Sequence, residues 1–225
     1  MERLGKALDS LINSPVGIVQ EMIRIFPDGL VMGMGFFALI TLSVPYGTFF
    51  ASLVESLLGF YGIRQANSYL NFVSTSKTAQ NTQCVSGFMS KDIEALTLFG
   101  STTQSGFPSS HLYLLSVASS YILSILFRFS KELEIMGPNY SSRFYIASVT
   151  IPIFIAFFVL YRLYFSCDDF NVLFFSIIAG ILVGLLLVEQ NYRLFGLSSL
   201  NIIGIPILHK RTADGTKLYI CPKPS

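Results

Sequence analysis

Charged residues are scarce in this sequence, at 12% of 225 residues, where soluble domains carry about a quarter. Hydrophobic residues make up 52%, phenylalanine alone occurs 21 times, and the mean hydropathy is +0.60. That composition excludes an ordinary soluble domain and points to an integral membrane protein. The formal charge of +2 comes without any basic run, which excludes nucleic acid as a partner. Three cysteines, Cys84, Cys167 and Cys221, are an odd number without metal-ligand spacing, so composition implies neither a zinc site nor a disulfide scaffold. No metal and no cofactor is expected. No internal repeat of the kind found in transporters is visible, and no short apolar core with a cleavage site opens the sequence, so no signal peptide is expected.

In chain order, residues 1–28 alternate charges with Leu4, Leu8, Leu11, Ile12, Val16, Val19, Met22 and Ile23. This is the spacing of an amphipathic helix, or of two short ones broken at Pro15. Residues 29–60 are apolar for longer than a membrane crossing needs. With Pro45 in the middle and Glu55 near the far end, the simplest expectation is one tilted, kinked helix. Gly33 and Gly35 allow close helix contact. Residues 61–76 are short and mixed, with Arg64, Gln65, Asn67 and Asn71 among apolar side chains; such a segment crosses only inside a bundle. Residues 77–106 read as an extramembrane loop with a short helix at 91–99.

Three apolar spans follow, at 111–127, at 143 or 144 to 164 with Pro152, and at 171–188 with Gly180 and Gly184 one turn apart. Residues 128–142 form a hydrophilic connection. Between the second and third spans, Arg162, Asp168 and Asp169 are squeezed between apolar walls, and charges at such depth are functional candidates. Hydropathy falls after Glu189, and Asp214 and Gly215 predict a small hairpin in the tail. The expectation is an all-α integral membrane protein, a helical bundle of about five transmembrane spans. It divides into an amphipathic segment (1–28), the bundle (29–190) and a soluble tail (191–225).

One short stretch stands out, Phe107-Pro108-Ser109-Ser110-His111. Pro108 is suited to open a helix and Ser109 or Ser110 to cap it, and the free N–H groups of the first turn face outward as an anion site. His111 lies one step inside that end. Taken alone, these residues fit a capped helix with a surface histidine.

Together with Lys77, the Cys84-Val85 pair, and Arg162 at the end of one span with the next close behind, this stretch resembles the three-part signature of the phosphatidic acid phosphatase type 2 superfamily. The likeness is closest to the dolichyl diphosphatase branch and covers roughly residues 60–190. It implies phosphate ester cleavage through a covalent histidine intermediate. Lys77 and Arg162 would bind the phosphate oxygens, Ser109 and the Ser110 backbone would complete the cradle, and His111 would be the general acid.

The departures from that signature are equally specific. Asp168 stands where the family carries its nucleophilic histidine, Val172 where it carries the orienting aspartate, and Cys84-Val85 where it carries Arg-Pro. A one-residue deletion would instead place Cys167 at the nucleophile and Asn171 at its partner. The only other histidine, His209, is in the tail. A substitute nucleophile, either Cys167 or Asp168, would need a new constellation. The simpler expectation is that Asp168 pairs with Arg162 or Lys77 and that a salt bridge fills the phosphate site.

Two functions follow from the resemblance. The preferred one is a catalytically silent member acting as a structural or lipid-contacting subunit of a larger membrane assembly, with membrane lipids and other membrane-protein subunits as partners. The other is a divergent lipid-phosphate or isoprenoid-diphosphate phosphatase. The family implies the endoplasmic reticulum, and membership of a complex admits the mitochondrial inner membrane. If the motif loops share one face, the N-terminus joins them while Arg64, residues 128–142 and the tail lie opposite. Retention of the fold also brings Cys84 and Cys167 to the rim of one cleft, either as two separate thiols, the simpler reading, or as a disulfide.

Overall fold

The computed structural model describes residues 15–73, 84, 106–135 and 138–204. They form α-helices throughout: α1 (Pro15–Thr41), α2 (Val44–Leu70), α3 (Ser110–Arg128), α4 (Ser130–Ile135), α5 (Pro138–Tyr164) and α6 (Phe170–Phe195), followed by a 3-10 turn at Leu197–Leu200. Four of these helices contain apolar stretches long enough to cross a membrane, Glu21–Thr41, Ser110–Arg128, Phe144–Tyr164 and Phe170–Phe195. The chain is a multi-pass membrane bundle. Helix α2 is as long as α1 but is interrupted by Glu55 and ends in polar residues. The three spans expected from 111 onward are α3, α5 and α6.

The first apolar run is not one kinked helix. Helix α1 stops at Thr41, Leu42 turns the chain at φ 47°, and Ser43 caps α2 in an extended conformation with Pro45 in its first turn. Proline lacks the N–H needed to continue α1 and its ring collides with the carbonyl four residues back, which here is that of Thr41. The same residue is well suited to open a helix, so one helix ends and another begins. The hairpin closes on itself where the ring of Phe50 covers Gly35, at 2.7 Å from where a Cβ would be, and where Phe37 meets Tyr46 edge-on at 4.8 Å. Gly33 has no such neighbour. No break separates residue 28 from 29, because α1 is continuous through both.

Of the mixed segment expected at 61–76, the described part, 61–73, is the end of α2, its cap and the two residues after it. Asn71 adopts the left-handed conformation that ends the helix. The Asn67 amide fastens the following chain by accepting from the Val73 N–H at 2.9 Å and donating to the Val73 carbonyl. Ile63 packs with Val73, Phe107 and Val172. That contact brings Arg64 to the same end of the bundle as Pro108 and Asp168, not to the opposite end.

Helix α3 is the axis of the bundle, with 72% of its span buried, whereas α5 has only 6% of its span buried and presents nearly its whole length outward. Small residues let α6 lie directly against α3. A Cβ on Gly180 would come within 2.7 Å of the Ser116 Cβ, and one on Gly184 would strike the Ser120 hydroxyl and the Val117 backbone. Close backbone approach of this kind replaces the hydrophobic drive that lipid cannot supply between helices.

At the end of the bundle away from His111, neutral polar groups are buried. The Asn191 amide donates to Ser52 Oγ at 2.7 Å and to Tyr121 Oη at 2.8 Å. Thr48 donates to the Ser199 carbonyl, tying the 3-10 turn under α2. Arg128 and Arg193 both reach Glu189 at the exposed rim. The short helix expected at 91–99 and the hairpin at 214–215 lie outside the described residues.

Candidate functional site

Four segments converge at one end of the bundle: the start of α3, the end of α5, the start of α6, and Cys84 from the long connection. Helix α5 ends in a reversal that aims the next residues back at it. The N–H of Ser166, at φ 52°, bonds the Leu163 carbonyl, and the N–H of Cys167 bonds the Arg162 carbonyl at 2.9 Å. This is a Schellman closure with serine in the place usually given to glycine. It folds residues 167 and 168 beneath the Arg162 side chain.

The consequence is a buried ion pair. Asp168 Oδ2 accepts from Arg162 Nε at 2.7 Å and from Ser109 Oγ at 2.8 Å, and the two charged side chains are only 2% and 6% exposed. Ser109 is the residue before α3, but its hydroxyl does not cap the helix. It is turned to Asp168, while its N–H donates to Ser176 Oγ on α6. The peptide bond before Pro108 is cis.

Arg162 serves three acceptors. Besides Asp168, its Nη1 donates to the Cys84 carbonyl at 3.3 Å and to His111 Nδ1 at 3.0 Å. A guanidinium has no acceptor, so Nδ1 must carry the lone pair and the ring proton resides on Nε2. His111 also engages the backbones of Ile23 and Arg24 on α1. The Ile23 carbonyl is free to receive it because the residue four positions on is Pro27, which has no N–H to offer. His111 is 1% exposed and is held from both sides.

Apolar packing seals the roof. Ile23 joins Leu112, Leu115, Phe158 and Leu173 in one cluster, and the ring of Phe26 lies 5.2 Å from that of Phe158. Cys84 and Cys167 are bonded, with Cα atoms 5.2 Å apart, which corrects the simpler expectation of two separate thiols. The bond also removes Cys167 as a thiolate nucleophile. Asn171, its partner in the deletion register, is exposed.

Of the residues singled out from sequence, Ser109, Ser110, His111, Arg162, Asp168 and Cys84 come together at this one end. Ser110 lies beside the ring, its hydroxyl 3.5 Å from His111 Nδ1. Val172 is buried among Val73 and Phe107, an apolar setting with nothing to orient. Lys77 lies outside the described residues. Sequence reasoning missed the Ile23 and Arg24 backbone and Ser176. Pro27, a proline inside an apolar helix, was the available signal for the first. Chemically, donors that suit an oxyanion, Arg162 Nε and Ser109 Oγ, are spent on a carboxylate of the chain itself, and His111 Nδ1 is taken by Arg162. No protein-family model, curated protein or solved structure matches the chain.

Proposed function

We propose that this chain is a catalytically silent relative of the phosphatidic acid phosphatase type 2 superfamily, closest to its dolichyl diphosphatase branch. In this reading it serves as a structural or lipid-contacting subunit of a larger membrane assembly. The observation that carries the proposal is the Asp168 carboxylate, which takes Arg162 Nε and Ser109 Oγ, two donors that the resemblance assigns to phosphate. A negative charge fixed at that point opposes a second anion there. The general-acid position is covered as well, since His111 is buried under α1 and its Nδ1 is taken by Arg162. Lipid contact is supported by the outward face of α5, where Ile146, Val149, Ile153, Phe157 and Leu160 are all exposed.

The alternative, a divergent lipid-phosphate or isoprenoid-diphosphate phosphatase, must find a nucleophile. Cys167 is consumed in the disulfide and Asp168 in the ion pair. The purified protein is expected to release no phosphate from phosphatidic acid or from isoprenoid diphosphates. Turnover that vanishes on His111→Ala would overturn the proposal and establish the enzyme. Stoichiometric membrane-protein partners in a mild-detergent purification are the expected companion result.

A further inference from the structure

We infer that the bundle is inserted with its Cys84–Cys167 end in an oxidising compartment and its Arg128, Arg193 and tail end on the reducing side of the membrane. Among the described residues the basic side chains do not decide orientation: Arg24, Arg64 and Arg162 belong to one end, and Arg128, Lys131, Arg143 and Arg193 to the other, with no excess of the kind that fixes topology. The disulfide does decide it. Closing it joins two sulfurs and passes two electrons and the two thiol protons to the disulfide of a thiol–disulfide oxidoreductase, which leaves as the dithiol. That chemistry proceeds on the lumenal or exterior side and is opposed where glutathione and thioredoxin keep thiols reduced.

The bond belongs to the architecture of its end of the bundle. Cys167 is 2% and Cys84 8% exposed. The Arg162 guanidinium donates to the Cys84 carbonyl, and the Schellman closure fixes the Cys167 backbone. From there α6 carries the chain to the far end, where Asn191 meets Ser52 and Ser199 meets Thr48. Residues 205–225 contain no apolar run long enough to cross a membrane, so a tag placed after Ser225 reports the side on which Gly204 emerges. The acceptor pattern Asn139-Tyr140-Ser141 opens α5 at that same end, where no glycan is added. This orientation holds whether or not the phosphatase resemblance does.

The test uses the full-length chain with a C-terminal epitope tag in sealed microsomes from eukaryotic cells. Protease added outside the vesicles is expected to abolish the tag signal without detergent. Alkylation before lysis, without reductant, is expected to leave Cys84 and Cys167 joined in one linked peptide pair by mass spectrometry. A tag that survives until the vesicles are opened overturns the inference. So does alkylation of Cys84 or Cys167 without reduction, or a glycan on Asn139 removable by endoglycosidase.

Discussion

The two ends of the bundle accommodate polar side chains in opposite ways. Near the disulfide, full charges are buried: Arg162 and Asp168 are all but inaccessible. At the other end the charges of Arg128, Glu189 and Arg193 stay at the exposed rim, and only the neutral groups of Asn191, Ser52 and Tyr121 enter the interior. Neutral polar contacts are sufficient to hold helices together in a membrane. Burying an ion pair costs several kcal/mol of desolvation per ion and is weak evidence of stabilisation. Cohesion therefore accounts for the Asn191 end and leaves the Asp168 end unexplained, which is what directs attention to anion chemistry there.

The difference between the two ends is tested most severely at Arg162. Replacing it with leucine strands the Asp168 carboxylate in the interior, and a loss of about 3–5 kcal/mol is expected, read as a fall in the unfolding midpoint in detergent. The double variant Arg162→Leu/Asp168→Leu sharpens the point, because with neither charge present most of that loss should return. Equal destabilisation by the single and double variants would show that packing, not charge, matters there. Asn191→Ala removes two neutral hydrogen bonds and should cost about 0.6–1.7 kcal/mol, the range for such contacts within membranes. Glu189→Ala releases both rim arginines and is expected to leave the midpoint unmoved, since exposed ion pairs contribute little; a clear drop would mean the rim is part of the core.

Helices α3, α5 and α6 were legible because each is an apolar run bounded by polar connections, the condition under which hydropathy works. The hairpin between α1 and α2 was hidden for the opposite reason. Its turn, Leu42-Ser43, carries no glycine or asparagine, and Leu42 is 85% exposed, so the apolar run passes through it unbroken. Length was the usable clue, since residues 29–60 as one helix would extend about 48 Å against a hydrocarbon core of about 30 Å.

At the site, the resemblance led to a salt bridge of Asp168 with Arg162 or Lys77, and Arg162 is the partner seen among the described residues. The role of Ser109 was not legible: a serine before a helix is ordinarily a cap, and only the Schellman closure brings a carboxylate close enough to divert it. The disulfide lost to separate thiols as the simpler expectation, because aligned motifs convey proximity far more loosely than bonding geometry demands. The roof over His111 joins residues distant in sequence, and only Pro27 announced a carbonyl with no helical partner.

The contacts at the closed end also order events during synthesis. Cys84 waits 83 residues for Cys167, Ser109 waits 59 for Asp168, and His111 waits 51 for Arg162. While α1, α2 and α3 enter the membrane, His111 has no guanidinium beside it and Ser109 no carboxylate. Domains are built from the N-terminus as the ribosome delivers them, so α1 reaches its place over His111 long before what lies beneath can lock. The nascent bundle is open at this end until α5 has been completed and its final turn has reversed. Any factor that recognises the unfinished protein has that interval, and that face, in which to act.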